Sequence, residues 1–600
     1  MDTTRGLSMS SAEKAHEDSG SSERQTRDDI ADEADEEKAI GFDGADYVST
    51  KEQEIGVAGM DRSRSRRSQD NRSLKTVRSH HSRAGGDGYT CLDAEANNHG
   101  SSSRAKSGPV TEQPYLVGWD GDADPENPRS MSKLRRWAIV LICAASSLCV
   151  TCTSSLYTST YSQLEPEFGA SRLVCTLGLS LFVAGLGTGP MILSPLSEFY
   201  GRRPIYICSF TFFLIWLIPC ALARNIETML VARFLDGLAG SAFLSVAGGT
   251  VGDMFGKHEL SAPMMVYTAS PFVGPEVGPL IAGFIVEKTT WRWCFYVLII
   301  WSGVQLCLIV LFVPETYHPV LLRRKAIRLR GETGNSEWIA PIEKMDRSIA
   351  KTVLWSCIRP FQLLIFEPMV GLLRDVALIG GLTVVLQCLN LCILSAILLG
   401  ILYLFFGAFG LVFINNHGFS ISQLGLSFLG LLVGMLTGIS TDPIWRKIYG
   451  RLVRQREEQG GEPGGSEPEF RLPSTIVGAW VVPIALLGFG WTTYSSVHWI
   501  VPMIFSALFG LGVIWVYSGV FTFLVEAYPV YAASALAANS FARSYFAAAF
   551  PLFGVQMYNN LGYQWATTVL AFLALAMAPF PILFFRYGKR LRGSSRYASA

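Results

Sequence analysis

The chain has 600 residues, is half hydrophobic, and carries 16% charged residues, with a mean hydropathy of +0.30 and a net charge of +1. Soluble proteins carry roughly a quarter charged residues, so the bulk of the chain is not an ordinary soluble domain, and the balanced charge gives no sign of a nucleic-acid partner. The twelve cysteines show no metal-ligand spacing and sit mostly in apolar runs, so they read as small apolar filler and no metal is expected.

Residues 1–130 are polar and rich in Ser, Arg, Asp and Glu. Such a segment buries too little surface to offset its ordering entropy, and it is predicted to be a disordered cytoplasmic tail. The start is acidic and lacks the apolar core of a signal peptide, so insertion is expected to begin at the first internal span.

A spanning helix needs roughly 20 apolar residues, because the hydrocarbon core is about 30 Å thick and each residue rises about 1.5 Å. Twelve segments meet that need, at 137–159, 172–195, 204–223, 227–250, 262–286, 292–313, 395–414, 421–440, 475–493, 499–522, 534–556 and 564–586. They form an N-terminal six-helix bundle (131–316) and a C-terminal one (395–590), separated by a polar cytoplasmic loop at 317–375 and followed by a tail at 591–600. This 6 + 6 pattern predicts an all-α membrane protein of two homologous halves around a central site. Residues 376–394 extend an apolar run to twice the length one span can absorb. They are read as an insertion or a gene-model artefact.

Basic residues alternate with the spans. One set of connections holds Arg135, Arg136, Arg202, Arg203, Lys257, Arg323, Arg324, Lys325, Arg446, Lys447, Arg451, Arg454, Lys589, Arg590 and Arg592, whereas the opposite set holds little beyond Arg172, Arg224, Lys288 and Arg292. The positive-inside rule then places both termini in the cytoplasm.

Several short motifs carry more than hydropathy. Between the second and third spans, GPMILSPLSEFYGRRP (Gly189 to Pro204) sets Glu198 near Gly201, Arg202 and Arg203, a composition suited to a charge-assisted clasp between helix ends. On the fourth span, RFLDGLAGSAFLSVAGG places Arg233 and Asp236 three apart on one face. A charge at membrane depth is costly and is a functional candidate by default. On the fifth, SPFVGPEVGPLIAGF repeats Gly274-Pro275 and Gly278-Pro279, which bends the helix beside Glu276. That carboxylate either binds a proton or a cationic substrate, or only hydrogen-bonds a neighbouring helix. WDGDADPENPRSMSKLRRW (Trp119 to Trp137), LCVTCTSSLYTS (Leu148 to Ser159) and VPETY (Val313 to Tyr317) complete the set.

Together these motifs resemble the major facilitator superfamily, and within it the fungal twelve-span drug:proton antiporters and their polyamine-exporter relatives. RPFQLLIFEPMV (Arg359 to Val370) and SALAANSFARSYFAAAFPLFGVQMYNNLGYQWA (Ser534 to Ala566) also fit. The resemblance implies two six-helix bundles around a cavity and export of drugs, polyamines or fungal metabolites against proton entry, with no cofactor beyond the proton. It implies that Gly189, Glu198, Gly201, Arg202 and Arg203 form the conformational clasp. Arg233 then belongs to a proton-coupling element, while Gly274, Pro275, Gly278 and Pro279 form an antiporter kink. On the residues themselves, Glu276 or Asp236 is the candidate carboxylate that an entering proton neutralises. Arg543, among small residues of the eleventh span, is a further buried charge. The seventh span departs from the group: ILYLFFGAFG has Gly407 and Gly410 where relatives usually have a glutamate and a proline. That loss points to less basic cargo.

The expected protein is therefore a monomeric proton antiporter of the plasma membrane, whose partners are lipid, protons and a small molecule. A transport-dead sensor and a nutrient importer on the same fold are the alternatives. No metal cluster, phosphate-binding loop or nucleophile elbow argues for an enzyme.

Overall fold

The computed structural model describes residues 115–120, 124–256, 259–344, 354, 358, 387–460, 466–528 and 532–592. From Lys133 onward the described chain is almost entirely helix. In hydrocarbon a helix satisfies its own backbone groups, which no open strand can do. The spans are α1 (Lys133–Phe168), α2 (Arg172–Tyr200), α3 (Arg202–Leu222), α4 (Ile226–Met254), α5 (Ala262–Lys288), α6 (Arg292–Phe312), α7 (Leu389–Asn416), α8 (Ile421–Glu458), α9 (Pro468–Trp491), α10 (Ile500–Ala527) and α12 (Tyr563–Lys589). Those eleven are long and apolar enough to cross a membrane. Between α10 and α12 lies α11 (Ala532–Leu561), 30 residues long but richer in Ala, Ser and Asn. It packs along α7 and α2, with Asn539, Ser540 and Ser544 buried, so part of its surface meets protein and has less need to be greasy.

Packing repeats between the halves. In the first, α1 lies along α5, α2 along α4 and α3 along both α4 and α6; in the second, α7 lies along α11, α8 along α10 and α9 along both α10 and α12. The halves meet through α2 with α11 and through α5 with α8. Each pair matches the other under exchange of the two halves, which is the internal pseudo-symmetry expected of transporter repeats.

Two glycines of α5 fix its approach to α1. A Cβ on Gly274 would overlap Thr151 Oγ1 and stand 2.8 Å from Leu148 O; one on Gly278 would overlap Ser155 Oγ and stand 2.7 Å from Leu156 N. The Gly-Pro repeat therefore serves close helix contact, as small residues do in membranes. Pro271, Pro275 and Pro279 all sit within an unbroken helix, Ser261–Lys288.

Three expectations need correction. The predicted disordered tail reached residue 130, yet residues 115–120 and 124–130 are folded against the loop after α6. Val117, Leu322, Ala326 and Ala340 form a small apolar core with Trp119, Leu329, Trp338 and Ile342 packed on it. The predicted loop at 317–375 contains a helix, His318–Thr333. Lys325, on that helix, donates to Asp120 Oδ2 at 2.7 Å and Asp124 Oδ2 at 2.9 Å, and Arg328 pairs with Glu126. Aspartates and lysine too far apart for a sequence pattern to link thus supply the ordering free energy that composition alone seemed to deny. Residues 376–386 of the expected insertion lie outside the described residues, as do 1–114 of the tail and 593–600. Residues 387–394 belong to the helix Gln387–Phe409, with Leu391, Cys392 and Leu394 buried, so the seventh span begins earlier than the apolar count suggested.

Burial alone would push the Asp124 carboxyl up, but hydrogen bonds from Lys325 and from the Glu126 and Asp120 amides hold it below its ordinary 3.8. Burial alone would lower Lys325, but Asp120 and Asp124 hold it above its ordinary 10.5. Both groups are therefore charged across neutral pH. The depressed carboxyl contributes stability above 3.8 that is lost as pH falls through its folded value; the raised ammonium contributes below 10.5 and is lost as pH rises through its own. Lys325→Ala leaves Asp124 buried without its partner, which costs about 3 kcal/mol. Hydrogen exchange at the Val117 amide, which donates to Ile339 O at 3.1 Å, is expected to quicken more than about tenfold in that variant. Docking of the wild-type segment is expected to be flat across neutral pH and to loosen at the acid end; unchanged exchange in the variant would remove the ion pair's role.

Candidate functional site

A cavity of about 270 Å³ opens between the halves at the arginine-rich end, lined by α2, α4, α5, α8, α9, α10 and α11. Near its mouth Arg446 pairs with Asp442 at 2.5 Å and Arg471 with Glu526 at 2.7 Å. Deeper, about 16 Å along α11 from its start at about 1.5 Å per residue, Arg543 faces the cavity between the rings of Phe521 and Phe272, at 5.2 and 5.7 Å. Beyond this the halves close on each other. Ser154 Oγ of α1 and Tyr403 Oη of α7 are 2.9 Å apart, and Phe272 of α5 packs on Tyr517 of α10 at 4.3 Å. At the far end the Ser422 amide donates to Glu287 at 3.2 Å, and a Cβ on Gly425 would stand 2.6 Å from Pro279 O. One face is open and the other shut.

The charged connection between α2 and α3 is held by partners the motif did not contain. Gly201 has φ +96°, a conformation favouring glycine, and a Cβ there would overlap the Glu315 carboxylate. With no side chain of its own to cap α3, the helix start is capped from a distance. Glu315 accepts from the Arg202 amide at 2.9 Å and the Arg203 amide at 3.2 Å, and also from Thr316 N and Tyr317 N. A carboxylate at a helix N-terminus is favoured by the exposed amides and the dipole. The Arg202 guanidinium bonds Ser197 Oγ at 2.6 Å, meets Asp253 Oδ2 at 3.4 Å and lies over Tyr317 at 4.7 Å. Arg203 reaches Val310 O at 3.0 Å. Glu198 is half-buried on the last turn of α2, within electrostatic reach of Arg202. Gly189 serves packing: a Cβ there would stand 2.7 Å from Leu238 O of α4.

Arg233 and Asp236 are both fully buried, 4.0 Å apart. Arg233 donates to Thr153 O at 3.1 Å and Ser154 O at 3.2 Å, where the α1 region turns from α-helix at Leu156 into a 3-10 stretch at Tyr157–Thr160. Its guanidinium also lies over Phe182 at 4.2 Å and Tyr157 at 4.7 Å. Among the described residues nothing donates a hydrogen bond to either Asp236 oxygen, and the same holds for Glu276, which is 1% exposed on α5. Arg233 and Asp236 are thus brought together; Glu276 and Arg543 stand apart from them on other helices. Gly407 faces Val555, and Gly410 opens a π-helical stretch, Gly410–Asn416.

Sequence reasoning missed two groups: Asp253 and Glu315, 51 and 113 positions from Arg202. Glu315 lies in the VPETY motif, and its position just past a span end opposite a paired-arginine loop was the available signal. Glu315→Ala strips the α3 cap and is expected to cost about 1–2 kcal/mol. In detergent-purified protein this appears as a lowered Tm, whereas an unchanged Tm would show that water caps α3 equally well.

The family model described as "Major Facilitator Superfamily" matches residues 143–551. "Efflux pump atB" of Aspergillus terreus is 55% identical over 492 residues, spanning 82% of this chain and 92% of that protein. "Probable drug/proton antiporter YHK8" of Saccharomyces cerevisiae is 40% identical over 479 residues, spanning 79% of this chain and 88% of that protein. The xylose transporter XylE from E. coli, solved in a partially occluded inward open conformation, aligns with a TM-score of 0.51 at 16% identity, over 75% of this chain and 99% of that one, a likeness of fold alone. Paired six-helix halves, a cavity between them and a match across most of both bundles agree: this chain belongs to the major facilitator superfamily.

Proposed function

We propose that this chain is a secondary active exporter that moves a small organic molecule out of the cell in exchange for protons. The carrying observation is the cavity, open at one end only, between halves that touch through two symmetry-related helix pairs. Relatives bearing the names efflux pump and drug/proton antiporter support the direction and the coupling ion. Drugs, polyamines and fungal metabolites are the substrate classes at issue. The arginine-rich end faces the cytoplasm by the positive-inside rule, so the cavity faces inward and both termini are cytoplasmic. The plasma membrane is the site of action and the monomer the working unit.

Export follows from rocking of the halves about the α2–α11 and α5–α8 contacts. Arg202, Arg203, Gly201, Gly189 and Glu198, with Asp253 and Glu315, act as the clasp that ties α2, α3, α4 and α6 into one moving body. Gly274, Pro275, Gly278 and Pro279 shape the α1–α5 seam. Asp236 is the proton site. A proton there neutralises the partner of Arg233, whose other bonds hold the α1 carbonyls of Thr153 and Ser154. Ser154 in turn meets Tyr403 across the closed face, so a change at Asp236 reaches the contact that must open. Glu276 is the second candidate carboxylate.

Asp236→Asn mimics the neutral state permanently. In proteoliposomes it is expected to keep substrate counterflow while losing accumulation driven by a pH gradient, by about tenfold or more. Accumulation equal to wild type would remove Asp236 from coupling. If wild-type protein moves no member of a broad cationic, neutral and anionic panel under a pH gradient, the exporter reading fails.

A further inference from the structure

Among the described residues five charged side chains line the cavity: Asp442, Arg446, Arg471, Glu526 and Arg543. Each carboxylate has an arginine beside it, Asp442 with Arg446 and Glu526 with Arg471, although Asp442 Oδ2 and Glu526 Oε2 accept no hydrogen bond among the described residues. Arg543 is different. It is 6% exposed, no carboxylate lies within ion-pair distance among the described residues, and its Nε has no hydrogen-bond partner. The rings of Phe272 and Phe521 flank its guanidinium, which orients the charge without neutralising it. Three residues earlier on the same face of α11, Ser540 also lines the cavity, and its Oγ too lacks a partner. A buried guanidinium with no counter-ion is an expensive arrangement, and an unmet hydroxyl beside it adds to the unmet hydrogen-bonding capacity.

We propose that the cavity binds a small organic anion, an aromatic monocarboxylate, with Arg543 as its counter-ion and Ser540 as a second donor to the carboxylate. This rests on the exporter reading for its transport sense, but not for binding. A planar fork of N–H donors matches a carboxylate and no cation. Tyr267 and Phe521 offer aromatic walls for the ring, and a cavity of about 270 Å³ suits a one-ring acid. A cationic solute would meet an uncompensated positive charge at the deep end, since each mouth carboxylate is matched by an arginine and Arg543 is the charge left over among the described lining residues.

The test uses the purified full-length protein and three ring-matched probes: benzoate, benzamide and benzylamine. Equilibrium binding of radiolabelled benzoate is expected to be at least about tenfold tighter than that of the other two. Arg543→Gln is expected to bring benzoate down to the benzamide level while leaving benzamide unchanged. Arg543→Lys, which keeps the charge but loses the fork, is expected to fall between. Benzylamine binding better than benzoate, no measurable benzoate binding, or an equal loss of benzoate and benzamide in Arg543→Gln would each overturn the proposal. Transport in proteoliposomes separates the two readings. Movement of cationic panel members under a pH gradient without benzoate binding defeats the anion site alone. Charge-selective benzoate binding with no movement of any probe defeats the exporter reading alone.

Discussion

Inside a bilayer no hydrophobic force draws one helix to another, because lipid tails are as apolar as leucine. What holds this structure together is therefore close contact at small residues, and the remaining architecture depends on where those residues fall. Gly274 and Gly278 seat α5 on α1, while Gly237 lets α4 meet the backbone of α2 at Phe182. Gly283 and Gly425 bring α5 and α8 backbone to backbone across the two halves. Because dispersion is short-ranged, such seams have well-defined packed arrangements rather than a continuum. That suits the rocking between discrete states proposed for the two halves.

The tight seams also make it possible to bury charge. Arg233 is tolerated at full burial because α1 changes its winding nearby and presents two carbonyls, and because two aromatic rings cover its faces. Arg202 is held by a serine, an aspartate and a tyrosine ring, while the helix it begins is capped by a glutamate from beyond α6. These charges lock parts of one half into a single body. Arg543 is not locked in this way and faces the cavity. The folded segment before α1 extends the first group: through Lys325 it grips the helix after α6, and His318 at that helix's start meets Asp253 O at 2.8 Å, close to the clasp.

Much of the fold was legible because length and greasiness alone decide whether a helix can span. Eleven of the spans announced themselves in this way, and α11 was found even though its Ala, Ser and Asn face protein rather than lipid. Paired arginines beside glycines marked the basic side of the α2–α3 contact cluster, since tight local spacing is visible in one dimension. Its acidic side was not, because Asp253 and Glu315 come from distant chain positions and reach Arg202 only after the helices pack. The segment before α1 was misjudged for the same reason: its polar composition conceals aspartates whose lysine partner lies some two hundred residues away. The start of α7 was placed late because an apolar run shows no internal boundary to a hydropathy count. The Gly-Pro repeat was legible as a motif, yet its glycines are explained by the α1 surface they touch, which no spacing reveals.

The proposed transport cycle requires two rigid halves that expose the same cavity to opposite sides of the membrane in turn. Single cysteines at Ser194, on the cavity wall, and at Ser422, on the closed face, report the two openings to a membrane-impermeant thiol reagent applied from each side. Imposing a pH gradient is predicted to shift the two labelling rates in opposite directions, Ser194→Cys reacting only from the arginine-rich side and Ser422→Cys only from the other. Rates that rise together, or a Ser194→Cys site labelled equally from both sides, would contradict it.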